Sequence, residues 1–458
     1  MEDILAKAID RMLAEGAEFC DAKHQTVRNL TVRVVDGSVK ALNEARIGGV
    51  CFRARVHGSW GYSTAVSLDK SALLESCAEA ARNAHLGAAR GPAIPEMPTG
   101  SRRMRAQVRT HPDSVPIEEK LELAKDLDAS QKVERKVVNS NANYREELRT
   151  NLLVNSFGSN LKWEEVRVRL MAFAVASEAG RQEMYYDMLD GTRGFELVKE
   201  GDVGAMGRHI GEEAVKMLAA KKPPSGHMTC ITDPANSGLL AHEVMGHAAE
   251  ADEVVKRRSF LTGLVGRKVA SEQITMIDDG AVPGAYGSIP VDDEGTPSSR
   301  TTIIEEGVYR GYMHSLETAA EMGATPTGNG RAQDFARRVW VRMTNTFFDV
   351  GDWSIDEMVE DVDYGVLTEK MISGMEDPVG GGFEAKALRG FLIERGRITD
   401  MVRSLTLTGN ALEILKTTDA VGNELRLDGG NCGKGIEDFV PVSSGGPYCR
   451  HKIVVGGG

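Results

Sequence analysis

Leu240-Ala241-His242-Glu243-Val244-Met245-Gly246-His247 places two imidazoles and a carboxylate within one short apolar stretch. Its flanks, Ser237-Gly238-Leu239 before and Ala248-Ala249 after, are small and mostly apolar, so the segment reads as a buried helix. Burying His242, Glu243 and His247 without partners would be costly. A metal ion removes that cost, because neutral imidazole nitrogens are good zinc ligands. A glutamate beside them can take a proton from a water that the ion activates.

The familiar zincin spacing, H-E-x-x-H, sets its two histidines one turn apart on the same helix face. This chain has one residue more. On a regular helix an i, i+5 pair lies about 140° apart around the axis, too far to share one ion comfortably. A local i→i+5 bulge would bring the rings together, and such bulges favour functional sites. Gly246 is where the backbone deforms at least cost.

A catalytic zinc takes three protein ligands and keeps one position for water. Glu250 and Asp252 follow the helix closely, each able to be a ligand or a carboxylate that steadies a histidine ring by its other nitrogen. Cys432 lies in Gly429-Gly430-Asn431-Cys432-Gly433-Lys434-Gly435, where glycines let the backbone approach and Lys434 would stabilise a thiolate. On these grounds the third ligand stays open.

The remaining residues bound the problem. A chain of 458 residues has room for two or three domains with sizeable cores. A net charge of −12 leaves no basic stripe for phosphate, so nucleic acid is not an expected partner. No stretch approaches the length of a transmembrane helix, and the amphipathic, acidic start Met1-Glu2-Asp3-Ile4-Leu5 is unlike a signal peptide. A cytoplasmic location without membrane attachment is the expectation. Six scattered cysteines with no C-x-x-C pair do not form a disulfide framework.

Along the chain, residues 1–19 read as a helix, 26–37 and 47–61 as strands with glycine turns, and 71–89 as a second helix. Five prolines between 91 and 116 mark a linker or extended arm. A helix over 117–129, strands at 133–138 and 166–176, and a helix over 202–220 follow. Lys221-Lys222-Pro223-Pro224-Ser225-Gly226 is the clearest boundary. The downstream half is richer in glycine and strand-like runs, broken by the metal helix and by helices near 355–363 and 411–415. The expected architecture is α+β: an N-terminal mixed α/β region over 1–222, with modules of about 1–90 and 117–222, then a β-rich domain over 226–458 carrying the zinc-binding helix. Gly328-Asn329-Gly330 and Gly380-Gly381-Gly382 lack the ending of a phosphate loop and read as turns, able to line a cleft. Arg342-Met343-Thr344-Asn345-Thr346 is a polar strand, either facing the cleft or closing a plain sheet.

Together these motifs resemble the TldD/PmbA family of metallopeptidases over nearly the whole chain. The metal helix with Glu250 and Asp252 is followed in order by Asp292-Asp293-Glu294-Gly295-Thr296-Pro297, Pro326-Thr327-Gly328-Asn329-Gly330-Arg331, Arg342–Thr346, Phe391-Leu392-Ile393-Glu394-Arg395-Gly396 and Cys432-Gly433-Lys434. Val440-Pro441-Val442, the terminal Val454-Val455-Gly456-Gly457-Gly458 and, in the first module, Gly58-Ser59-Trp60-Gly61-Tyr62 also fit. The resemblance implies His242, His247 and Cys432 as ligands of one zinc per chain and Glu243 as general base. Glu250 then becomes a supporting carboxylate, and Asp252, Asn329, Arg331 and Asn345 are expected behind the ligands or in the substrate cleft. It implies the TldD-type catalytic subunit, because the PmbA-type (TldE) partner lacks the zinc motif. It also implies a dimer, with a second copy or with that paralogue, enclosing a cavity that admits short or unfolded peptides. Phe383–Gly390 departs from the family pattern, in a region expected to shape the substrate path.

Two rival readings are weaker. In other H-E-x-x-x-H enzymes, such as dipeptidyl peptidase III, the third ligand is a downstream glutamate, and Glu250 is too close in sequence for that. The family has also carried a name as a modulator of DNA gyrase, which would make this a regulatory, zinc-containing binding protein. A structural zinc is more often closed by four protein ligands.

Overall fold

The longest alternating runs of the chain become its longest strands. In the computed structural model, which describes residues 1–87, 91–435 and 438–457, seven strands form the first sheet. They are β1 (Phe19–Val35), β2 (Ser38–Val56), β3 (Ser59–Ala65), β4 (Gly100–Met104), β5 (Val137–Asn155), β6 (Ser159–Glu178) and β7 (Arg181–Gly191). The order is β3-β2-β1-β5-β6-β4, with β7 also on β6. Along β6, Val168, Leu170, Ala172, Ala174 and Ala176 are all buried, the period of two that puts one face of a strand in a core. Helices Ile117–Ser130 and Val203–Met217 cover that core at one end of the sheet. Helices Glu2–Ala14 and Lys70–His85 cover a second core at the other.

Several expected elements shift. The first helix stops at Ala14, because Phe19 onward is already β1. The expected strand at 133–138 begins only at Val137, after a turn in which Val137 N–H bonds the Glu134 carbonyl. Part of the expected linker is ordered: Gly100–Met104 pairs in parallel with Ser159–Trp163. The second helix ends at His85; the expected Ala88 and Ala89, like the terminal Gly458, lie outside the described residues. Phe383–Gly390, despite its composition, lies within strand Gly382–Glu394, where Ala385 and Ala387 are buried.

Charged residues on the first sheet are buried rather than solvated. Asp21, Lys23, Arg53, Arg149 and Arg167 meet the C-terminal half. Arg53 grips Asp21 and donates to Glu294 Oε1 at 2.8 Å, Lys23 pairs with Asp293, and Arg167 donates to the Tyr286 carbonyl at 2.9 Å. The loop receiving them is itself tied: Asp292 accepts from the backbone N–H groups of Glu294, Thr296 and Gly330 at 2.8–2.9 Å.

The C-terminal half contains two larger sheets. One has six strands in the order Val308–Tyr309, Arg300–Glu305, Met276–Asp279, Asn345–Phe348, Asp438–Gly446, Arg426–Lys434. The other runs Tyr364–Asp377, Gly226–Thr232, Cys449–Gly457, Leu405–Asn410, Gly382–Glu394, Arg397–Val402. In it Tyr364–Asp377 also pairs with Gly382–Glu394, so five of the strands close on themselves and leave no free edge between them. The apolar helix of residues 234–249 is buried between these sheets, sharing one core with Ala385, Leu407, Ile453, Phe348 and Val442. The chain is thus α+β with a β-rich C-terminal region.

Arg53 is the sole guanidinium bonded to both Asp21 and Glu294 among the described residues. Arg53→Met strips both carboxylates of it and is expected to lower the unfolding free energy by about 3–5 kcal/mol. Urea unfolding measures it, and an unchanged midpoint would exclude the pair as a fastening between the halves.

Candidate metal centre

The helix begins where the sequence caps it. Asp233 accepts from Asn236 N–H and Pro234 opens the first turn, a position where its missing N–H costs nothing. Asp233 is also held by Thr368 Oγ1 at 3.0 Å and by the Lys370 N–H at 2.9 Å, which docks the helix start on strand Tyr364–Asp377. Gly238 lies so close to the Gly445 backbone that a Cβ there would sit 2.3 Å from its nitrogen. From Leu240 to Gly246 the helix widens into a π turn, and the His247 N–H bonds the His242 carbonyl. This is the i→i+5 step that the extra residue between the histidines calls for. Gly246 packs on Met343, whose Sδ would be 2.2 Å from an added Cβ.

The widened turn brings His242 and His247 together, with ring centroids 5.3 Å apart and planes at 82°. Cys432 arrives from the hairpin Arg426–Lys434 and Asp438–Gly446, its Sγ 3.3 Å from His247 Nε2. One ligand atom from each of the three residues lies within 4.8 Å of the others. Zinc–nitrogen and zinc–sulfur bonds of about 2.0–2.3 Å need only small side-chain shifts to close that span. His242 Nδ1 is buried with no hydrogen-bond partner among the described residues. Two imidazoles and one thiol are a donor set suited to zinc, so the residues fit the ion.

The electrostatics favour the ligating form of the thiol. Burial pushes Cys432 up, but the His247 and His242 rings beside it outweigh burial and hold it well below the usual thiol range. Burial pulls His247 down, and the Cys432 and Glu250 charges more than reverse it. Glu250 Oε2 lies 3.4 Å from His247 Nδ1, which leaves Nε2 turned to the thiol. Glu250 resists burial with the help of Lys434 and His247 and sits at about 2. Glu243 Oε2 is 3.9 Å from His247 Nε2, and its side chain is 21% exposed, enough to meet a water or substrate.

The other expected site residues fall into two groups. Glu250 and Asp252 stand behind the trio, both bonded to Lys434 Nζ, at 2.8 and 2.7 Å. Lys434 therefore serves these carboxylates and makes no bond to the Cys432 thiol in this structure, contrary to the simplest reading of its position. Asn329, Arg331 and Asn345 are buried in the scaffold. Asn329 Nδ2 donates to Asp278 Oδ2 and the Arg342 carbonyl, Arg331 Nη2 to the Pro441 carbonyl, and Asn345 Nδ2 to the Asp279 carbonyl. Arg342, read from the sequence only as part of a polar strand, is fully buried and donates to the Cys432 carbonyl at 2.6 Å. An arginine set between Val341 and Met343 in a strand-like run was the available signal.

Residues 20–84, 110–221 and 225–457 match, in order, domain 1, the central domain and the C-terminal domain described for PmbA/TldA metallopeptidases. The chain belongs to the PmbA/TldD metallopeptidase family. A metalloprotease of Methanothermobacter thermautotrophicus is 35% identical over 449 residues, 97% of each chain. One from Methanocaldococcus jannaschii is 31% identical, over 96% of this chain and 97% of its own. A Saccharolobus solfataricus relative named as a zinc metalloprotease TldD homologue is 29% identical over 56% of this chain and 57% of its own. In fold, a Thermotoga maritima protein described as a candidate modulator of a DNA gyrase superposes with a TM-score of 0.82 at 21% identity, covering 99% of both chains. TldE from Thermococcus kodakarensis gives 0.80 at 18%, covering 99% of this chain and all of its own. No helix among the described residues is long and apolar enough to cross a membrane.

Gly246→Ala is expected to cost about 1–3 kcal/mol by overpacking against Met343. Chemical denaturation should show Gly246→Ala with Met343→Ala losing less than the two single losses added together. Additive losses would mean that the added methyl is accommodated elsewhere.

Proposed function

We propose that this chain is a zinc-dependent peptidase that hydrolyses short or unfolded peptides, with His242, His247 and Cys432 holding one zinc and Glu243 as the general base. The observation that carries the reading is the convergence of those three side chains beside Glu243, inside a family of metallopeptidases. Zinc, when bound, supplies a Lewis acid that polarises a peptide carbonyl and a water.

The chain's own residues do the rest. Glu243 accepts a proton from the attacking water as the new carbon–oxygen bond forms, and returns it to the amide nitrogen as the carbon–nitrogen bond breaks. Glu250, on the far edge of His247, holds that ring in register. Strand Arg426–Lys434, which carries Cys432, ends its sheet. A peptide held beside the trio through its backbone would suit loose sequence specificity and unstructured substrates. As the family resemblance implies, the chain works as a dimer with a second copy or a TldE-type paralogue, in the cytoplasm.

Elemental analysis and fluorescent-peptide turnover test the reading together. Wild-type protein should carry about one zinc per chain, lost in His247→Ala and in Cys432→Ser, with turnover abolished by chelator and restored by zinc. Glu243→Gln should keep the zinc while turnover falls by about 10²–10⁴-fold. Normal turnover in Glu243→Gln would remove it as the base. Zinc content indifferent to both ligand changes would overturn the site and favour a regulatory binding protein.

A further inference from the structure

Cys432 and His247 belong to elements 185 residues apart in sequence, so something must fix their separation. Two buried cations lie between those elements. Arg342, with no exposed surface, donates Nη2 to the Cys432 carbonyl at 2.6 Å and Nη1 to the Asp438 carbonyl at 2.7 Å. Those carbonyls stand on the two strands of the Cys432 hairpin. Its Nε is 3.8 Å from Glu250 Oε1. Lys434, on the hairpin itself, reaches back to Glu250 Oε2 at 2.8 Å, Asp252 Oδ1 at 2.7 Å and the Val341 carbonyl at 3.2 Å. The Glu250 carboxylate is thus held from two sides, and it is the group that touches His247 Nδ1.

We infer that Arg342 and Lys434 are positioning residues that fasten the Cys432 hairpin to the His247 helix through Glu250, and so set the affinity of the site for its metal. The inference rests on the zinc reading above. Neither cation touches a ligating atom in these contacts; each acts through a neighbour. Arg342 suits its place because a planar fork can serve two carbonyls at once, whereas an ammonium is a compact point charge. Lys434 suits its place because Glu250 and Asp252 are two buried carboxylates that would repel without a shared cation. Deprived of it, Glu250 would turn away, and that change frees the His247 ring. Partners of this kind tune metal affinity by about 10–100-fold.

The test uses the full chain and two probes, zinc titrated against a chromophoric chelator and cobalt(II) substitution, whose thiolate-to-metal absorption reports the Cys432 bond. Arg342→Lys and Lys434→Gln should each weaken zinc binding by about 10–100-fold. Lys434→Arg should recover most of the second loss. The Arg342→Lys cobalt form should show a weaker thiolate band than wild type. Metal-free urea unfolding identifies a variant that fails to fold, and the remaining variant then carries the test. Wild-type affinity in both folded variants would overturn the inference, as would an Arg342→Lys cobalt form with the thiolate band of the wild type. A wild-type protein that binds neither metal would instead overturn the zinc reading itself.

Discussion

Two histidines five residues apart cannot face one ion from a regular helix, and the site depends on the single widened turn that removes the mismatch. That turn forgoes regular α-helical hydrogen bonding from Leu240 to Gly246, and it persists because its surroundings hold it. Leu240, Ala241, Val244 and Met245 are buried on all sides, Gly238 lies against the Gly445 backbone, and Met343 fills the space beside Gly246. A helix packed over most of its circumference cannot slide or rotate without losing those contacts. The same packing that buries the segment therefore fixes which way His242 and His247 point.

Polar groups complete the enclosure. The site is surrounded by buried charges, many of them bonded to one another or to backbone carbonyls. Asp278 accepts from Thr344, Thr346 and Asn329; Arg331 donates to the Met343 and Pro441 carbonyls; Arg342 donates to the Cys432 and Asp438 carbonyls. Breaking one member leaves its partners buried and unpaired, which is why such networks resist rearrangement. The interface between the first sheet and the C-terminal half follows the same rule, with Arg53, Asp21 and Glu294 as its most enclosed example.

Much of this was legible in the residues, and the limits have physical causes. The buried helix and its widened turn follow from spacing and apolar flanks alone. Helix starts at Asp202 and Ile117 fall within a residue or so of expectation because capping and periodicity are local signals. Cys432 became the preferred third ligand only through the order of several separated motifs, since a glycine-flanked thiol has no spacing relation to a helix 185 residues away. The parallel pairing of Gly100–Met104, the closure of the five-strand ring and the partners of Arg342 and Lys434 are long-range facts. Period-two alternation identifies the polar face of β1, but nothing local distinguishes a polar face meeting water from one meeting a second set of charges.

The proposed third ligand, Cys432, bears on how such a site would form. Had Glu250 or Asp252 been the ligand, one helix and its exit would have held the whole set, and a metal could bind before the sheets assembled. Cys432 instead comes from the last hairpin of the six-stranded sheet, whose strand Asp438–Gly446 must pair in parallel with Asn345–Phe348 to be in place. The connection between those parallel strands contains three strands of the closed sheet, so Cys432 meets the histidines only through long-range pairing. The complete donor set therefore exists only in the folded chain. A metal that prefers this set to any the unfolded chain can offer stabilises the fold in proportion to the logarithm of its concentration over its dissociation constant. In the partly assembled chain the thiol and the imidazoles remain apart, so an ion bound by the proposed set would favour completion of the C-terminal half.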